Sequence, residues 1–227
     1  MKMLIACECS GIVRDAFGKK GHESWSCDIK ESETPTDRHY KCDVRYVLSY
    51  DWNFIGAHPE CRYLTVSGMH RTVRGLRDPK LTEDAIAFCE LIWNSIKRVG
   101  KGYLENSIGV LSTRSSLGKP SQIIQPYDFG HDASKSTCLW LHGLPPLIPT
   151  KRISPRFVCG KCFTELPEYY FGNDYCHKCK CEPSKLLPRW SNQTNSGQNR
   201  LAPSETRSAD RARTYSGIAA AMAEQWG

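Results

Sequence analysis

The sequence predicts an α/β fold, a parallel sheet with crossover helices, interrupted by a small cysteine-rich insert. Three observations carry this. Short apolar runs alternate with amphipathic helical stretches up to about residue 149. From about 150 to 204 helical periodicity disappears, and cysteines, prolines and polar residues crowd together. A helical pattern then returns at "YSGIAAAMAEQW". The expected organisation is a core over 1–149, an insert and linker over 150–204, and a closing helix over 205–227 that completes the core.

Taken in order, "KMLIACE" reads as a short buried strand and "IVRDAFGKKG" as a helix. Ser10 is its candidate N-cap, and Ile12, Val13, Ala16 and Phe17 form its apolar face. The "ECSGI" turn between them offers backbone donors at a helix start, although one glycine makes a weak nucleotide fingerprint. "ESWSCDI" is a second strand ending at Asp28, and "YKCDVRYV" an extended segment carrying Asp43. "NFIGA" is a strand that runs into "HPECRYLTVSG". The clearest helix is "LTEDAIAFCELIWNSIKR": Thr82 can cap it, Glu83, Asp84, Lys97 and Arg98 suit its dipole, and Ile86, Cys89, Trp93 and Ile96 share a face. Gly100 and Gly102 end it, "YLEN" follows as a strand with Glu105 at its tip, and "TCLWLHG" is one more strand. "SNQTNSGQN" reads as a flexible connector.

The 227 residues can bury a substantial core, and 40% hydrophobic with 24% charged residues describes a globular chain. The apolar N-terminal run stops at Glu8, too short for a signal peptide or a membrane span, so a cytoplasmic protein is expected. The formal charge of +7 favours a polyanionic partner. Twelve cysteines in such a compartment point to metal binding or thiol chemistry before disulfides.

Ligands of an open parallel sheet sit outside the carboxyl ends of its strands. Asp28, Asp43, Cys61 and Glu105 each end an extended segment, so one cleft can collect all four. Carboxylates there accept hydrogen bonds from ribose hydroxyls or an adenine amine; the plainer reading of Asp28 and Asp43 is as loop caps. Cys61 follows Pro59, which fixes the backbone ahead of it. It is either an activated nucleophile or a buried structural thiol.

"CGKC" at 159–162 and "CHKC" at 176–179 place four sulfurs as structural zinc requires, with Cys159, Cys162, Cys176 and Cys179 as ligands and Cys181 or His177 in reserve. Around them Lys161, Lys178, Lys180, Lys185 and Arg189 alternate with Tyr169, Tyr170, Phe171 and Trp190, a mixture suited to nucleic-acid contact or simply to solvating a metal-held insert. Arg71, Arg74 and Arg77, three apart, either grip phosphates or line a solvated helix face.

A turn before the first helix, acids at 28 and 43, "HPEC" at 58–61, "ENS" at 105–107, "FGHDASKSTCLWLHG" and the final "YSGIAAAMAEQW" occur in that order. Together they resemble the DNA cytosine-5 methyltransferase family, most closely its short members from bacteria and phages, over residues 1–149 and about 205–227. The resemblance implies a Rossmann-like S-adenosylmethionine-dependent sheet whose zinc ribbon lies where the family reads its target in double-stranded DNA, inside a bacterial or phage-infected cell. It implies Cys61 as nucleophile on a flipped cytosine, Glu105 on the base edge, Asn106 orienting the cysteine loop and Lys135 at the first of an arginine pair whose second member helps to grip the base. It places the cofactor against Cys9, Ser10, Gly11, Asp28, Asp43, Ser216 and Gly217. The chain departs from the pattern at Glu60, where a second proline is expected, at Thr137, where the second arginine is, and in its glycine-poor turn. The competing expectation is a catalytically inactive, methyltransferase-like DNA-binding protein.

Overall fold

A computed structural model describes residues 1–166, 176–180, 186–201 and 213–227. The chain forms two compact units, one of Met1–Ile124, Ser136–Ile148 and Ala212–Gly227, the other of Gln125–Lys135 and Pro149–Arg211. Gln125–Lys135, read above as core, belongs with the insert. Ser191 donates to the Asp132 carbonyl, and Ser134 and Asn192 exchange two hydrogen bonds of 2.9 Å.

In the first unit the elements are β1 (Lys2–Ala6), α1 (Ile12–Lys19), β2 (Glu23–Asp28), β3 (His39–Lys41), β4 (Phe54–Ala57), α2 (Val66–Val73), α3 (Lys80–Val99), β5 (Gly102–Ser107), α4 (Leu111–Arg114), β6 (Gln122–Ile124), β7 (Thr137–His142) and α5 (Ser216–Trp226). The seven strands lie in the order β3-β2-β1-β4-β5-β7-β6. β3 to β5 are parallel, while β7 runs antiparallel to both its neighbours. This mixed, mostly parallel α/β sheet is compatible with a Rossmann-like fold. β1 and β4 are apolar almost throughout and buried, as strands covered on both faces must be. α3 buries Ile86, Cys89, Trp93 and Ile96, the face read from its spacing. Among the described residues no helix is long and apolar enough to cross a membrane.

Several local expectations are corrected. Glu8, not Ser10, caps α1: its carboxylate accepts from Val13 N at 2.7 Å and Arg14 N at 3.3 Å, while Ser10 Oγ takes only Ile12 N. Thr82 lies inside α3, which begins two residues earlier, and its hydroxyl donates to the Tyr63 carbonyl at 3.2 Å. Asp43 falls beyond β3, and Glu105 sits two residues before the end of β5.

The second unit holds β8 (Arg156–Cys159), β9 (Glu165–Leu166) and β10 (Leu186–Arg189), in the antiparallel order β10-β8-β9. The "SNQTNSGQN" stretch is not a slack connector. Gln193 pairs with Asn199, Thr194 N donates to Gln198 O at 2.7 Å, and Arg156 reaches the Asn195 side chain at 2.5 Å.

Candidate functional site

The order of β3, β2 and β1 on one side and β4 and β5 on the other reverses between β1 and β4, and a crevice at such a reversal is where open α/β sheets bind ligands. The loop after β1 carries Cys7 to Gly11, and the loop after β4 carries His58 to Cys61. Gly11 has φ +75°, and a β-carbon there would strike the Arg14 guanidinium and the Thr34 hydroxyl, so this lone glycine is required twice over. The buried Arg14 explains the crowding: it donates to Ser26 (3.0 Å), Ser32 (3.1 Å) and Thr34 (2.5 Å), tying α1 to β2 and the loop beyond.

Asp28 ends β2 as expected, and its carboxylate accepts from Lys30 N at 2.9 Å. Both oxygens of Asp43 are engaged by the Arg45 side chain, at 2.9 and 2.6 Å, and Arg45 N adds a third bond; this partner holds the carboxyl below the usual range. Asp43 as placed is thus a loop cap. Burial, with Asp28 and Asp43 nearby, pushes the Cys7 thiol far up. Glu33 bonds through its backbone to Cys9 O at 2.8 Å and pairs with Arg213 at 2.8 Å. At the far ends of α1 and α5, Lys20 pairs with Glu224. The two helices therefore run in one sense, and Ser216 and Gly217 start α5 at the same end of the sheet as Cys9, Ser10 and Gly11.

The loops after β4 and β5 are stitched together. Asn106 is buried; its Nδ2 donates to Pro59 O at 3.0 Å and its Oδ1 accepts from Ser107 N at 2.9 Å. Val110 N donates to Leu64 O at 2.9 Å, Thr65 bridges Gly109, and a β-carbon at Gly109 would collide with the Leu64 carbonyl. Cys61 is a half-exposed free thiol whose carbonyl accepts from Leu64 N and Thr65 N, both at 3.0 Å, turning the chain into α2. Glu60 is paired with Arg62 at 3.1 Å, and both side chains are more than half exposed, so the charge that stands where a proline is expected faces solvent with a counter-ion.

Sequence reasoning missed His58. Its Nδ1 lies 2.8 Å from Glu105 Oε2 and its Nε2 lies 2.9 Å from the Tyr103 hydroxyl, with His58 8% and Glu105 13% exposed. The available signal was a histidine directly after a buried strand, one residue ahead of Pro59. Glu8 completes this buried polar group, adding to the rise of the neighbouring Tyr103 phenol; burial raises its own carboxyl, offset in part by its helix-capping bonds.

Cys61, Glu105 and Asn106 thus all belong to the first unit, whereas Lys135 belongs to the second, where its N–H donates to Gln125 Oε1 at 3.0 Å. Thr137 is buried at the start of β7. Arg77 is structural: it donates to Arg62 O at 3.0 Å and lies over the Tyr63 ring at 4.9 Å. Arg71 and Arg74 are exposed.

In the second unit the sulfurs of Cys159, Cys162, Cys176 and Cys179 all lie within 4.8 Å of one another. Cys159 to Cys179 and Cys162 to Cys176 are each 3.7 Å apart, near the ~3.8 Å edge of a tetrahedron with Zn–S bonds of about 2.3 Å. The two CxxC turns are equivalent: Phe163 N reaches Cys159 O and Lys180 N reaches Cys176 O, both at 2.9 Å, with φ of 56° and 53° at Phe163 and Lys180. Contacts with Thr164, first with its hydroxyl 3.2 Å from Sγ and then with its backbone, bring the Cys162 thiol down to about 6, favouring the thiolate that metal needs. The cluster fits zinc. His177 is exposed; Cys181 lies outside the described residues, as do Tyr169, Tyr170, Phe171 and Lys185. Trp190 stacks on Tyr127 at 4.2 Å rather than standing out for a base, and Arg189 is spent on Asn195 O. No protein-family model matches the chain, and no curated protein matches it in sequence.

Proposed function

We propose that the chain is an S-adenosylmethionine-dependent methyltransferase that modifies C5 of cytosine in double-stranded DNA. The observation that carries this is the stitched pair of loops that sets the half-exposed Cys61 and the Glu105 carboxylate beside the reversal of the sheet. In this reading the Cys61 thiolate adds to C6 of an extruded cytosine, Glu105 binds the N3/N4 edge and stabilises the charge building there, and Asn106 holds the cysteine loop through Pro59. The cofactor supplies the methyl group that C5 takes. Loss of the C5 proton then breaks the Sγ–C6 bond and returns the thiolate.

The donor set around β1 and β2 fits such a cofactor. Asp28 offers an acceptor to ribose hydroxyls at the end of β2, and the turn over Cys9, Ser10 and Gly11 with Ser216 and Gly217 borders the same end. Zinc in the second unit would be structural, and the exposed Lys161, Lys178 and Lys180 suit phosphate contact.

The test is a DNA duplex carrying 5-fluorocytosine throughout, incubated with S-adenosylmethionine. Wild type should form a denaturant-resistant protein–DNA adduct and Cys61→Ser none; no adduct from wild type refutes the reaction. The engagement of Asp43 by Arg45 favours the second reading, an inactive DNA-binding relative. Cofactor titration separates the two, because a pure DNA binder need not bind S-adenosylmethionine.

A further inference from the structure

We infer that His58 is a positioning residue for Glu105, holding its carboxylate toward the cytosine edge through a donor nitrogen that Tyr103 selects. The inference rests on the methyltransferase reading and goes beyond it. Tyr103 is wholly buried, and among the described residues its hydroxyl is hydrogen-bonded to His58 Nε2 and to no other group. Burial first, and then the nearby carboxylates of Glu8 and Glu105, keep this phenol protonated. Its proton needs an acceptor, because a buried hydroxyl proton without one is costly. Nε2 must therefore be the unprotonated nitrogen, which leaves the ring proton on Nδ1, aimed at Glu105 Oε2 at 2.8 Å.

The arrangement is built into the sheet. Tyr103 pairs in register with Gly56, and a β-carbon on Gly56 would come within 2.6 Å of the Tyr103 ring. Only glycine on β4 lets the phenol lie across that strand and reach the residue that follows it. Phe54 at 6.0 Å and Trp226 at 5.3 Å, centroid to centroid, hold the ring from two further sides. Glu105 thus has one carboxylate oxygen committed to a rigid donor, which fixes the plane in which its carboxyl group meets a base.

Asparagine at 58 can place an amide donor where Nδ1 stands, whereas glutamine places its amide nearer Nε2. Both put an amide in the same buried site, so comparing them cancels a general loss of packing. With the 5-fluorocytosine duplex, His58→Asn should trap DNA within about tenfold of the wild-type rate, while His58→Gln should fall by roughly 10²-fold at saturating DNA, the scale of a misplaced reacting group. DNA affinity should be unchanged in both. Tyr103→Phe, which frees the choice of nitrogen without moving the ring, should fall between them. Equal trapping rates in His58→Asn and His58→Gln, whether both full or both lost, overturn the positioning role while leaving the reaction intact. Absence of an adduct from wild type removes both.

Discussion

Replacing Asn106 with alanine tests whether the cysteine loop is held from β5. The substitution takes the donor from Pro59 O and the acceptor from Ser107 N, bonds of 3.0 and 2.9 Å made by a side chain 2% exposed. Each backbone group left without a partner away from water costs about 1–3 kcal/mol, so the loss of two is roughly 2–6 kcal/mol. In a domain of this size that lowers the unfolding midpoint by on the order of 5–15 °C. The two units can unfold separately, so the transition of the sheet unit is identified calorimetrically as the one insensitive to a zinc chelator. Alkylation of Cys61, followed by peptide mapping because the chain has twelve cysteines, should quicken as the loop loosens. Asn106→Asp keeps the acceptor for Ser107 but sets a carboxylate oxygen against the Pro59 carbonyl, so it should cost more than alanine at neutral pH. A midpoint within about 1 °C of wild type, with unchanged labelling of Cys61, would refute the stitching argument.

Two further outcomes are expected. Purified protein should carry about one equivalent of zinc, and Cys162→Ser or a chelator should abolish the second unit's transition while sparing the first; less than about half an equivalent of metal counts against the centre. Burial raises the Glu8 carboxyl above its ordinary value. A group raised in the fold binds its proton more tightly there, so its contribution to stability is complete below the ordinary carboxylate range and is lost as pH climbs through the raised value. Glu8→Gln should therefore flatten the fall of the sheet unit's midpoint as pH climbs above the ordinary carboxylate range, and curves parallel to wild type would show that Glu8 does not titrate in this way.

What was legible in the sequence was what depends on near neighbours. The α3 face follows from 3.6-residue spacing and the cysteine quartet from two CxxC turns, and both stand as read. β1, β4 and β5 were visible as apolar runs, but nothing in "TCLWLHG" announces that β7 runs against its neighbours, because direction is set by the connection and not by the strand. Gln125–Lys135 carried no signal that its partners lie near residue 191, since bonds such as Ser134 with Asn192 join segments 58 residues apart. At the candidate site, Cys61 and Glu105 were singled out by their place in a motif order, a reading that stands as a proposal, while His58 was passed over because its meaning comes only from Tyr103 and Glu105 on another strand.

The identity of the α1 cap bears directly on the ligand class. A helix following the first strand of such a sheet ordinarily turns its N-terminal N–H groups toward a phosphate. Here Glu8 occupies that position with its own carboxylate, taking Val13 N and Arg14 N, and the Arg14 guanidinium is committed to Ser26, Ser32, Thr34 and Asp15. The N–H groups at the helix start are therefore already taken by a buried carboxyl where a pyrophosphate would need donors. Asp28 follows at the end of β2, and Glu33, on the loop beyond, is paired with Arg213. A dinucleotide entering there would set phosphates against carboxylates, a repulsion that low-dielectric walls strengthen. A nucleoside joined to a cationic centre meets the reverse, with diol hydroxyls that donate to carboxylates and a positive charge they attract. The glycine-poor turn that weakened the nucleotide fingerprint is thus consistent with a ligand carrying no phosphate, which is what the proposed methyltransferase reading requires of its sulfonium cofactor.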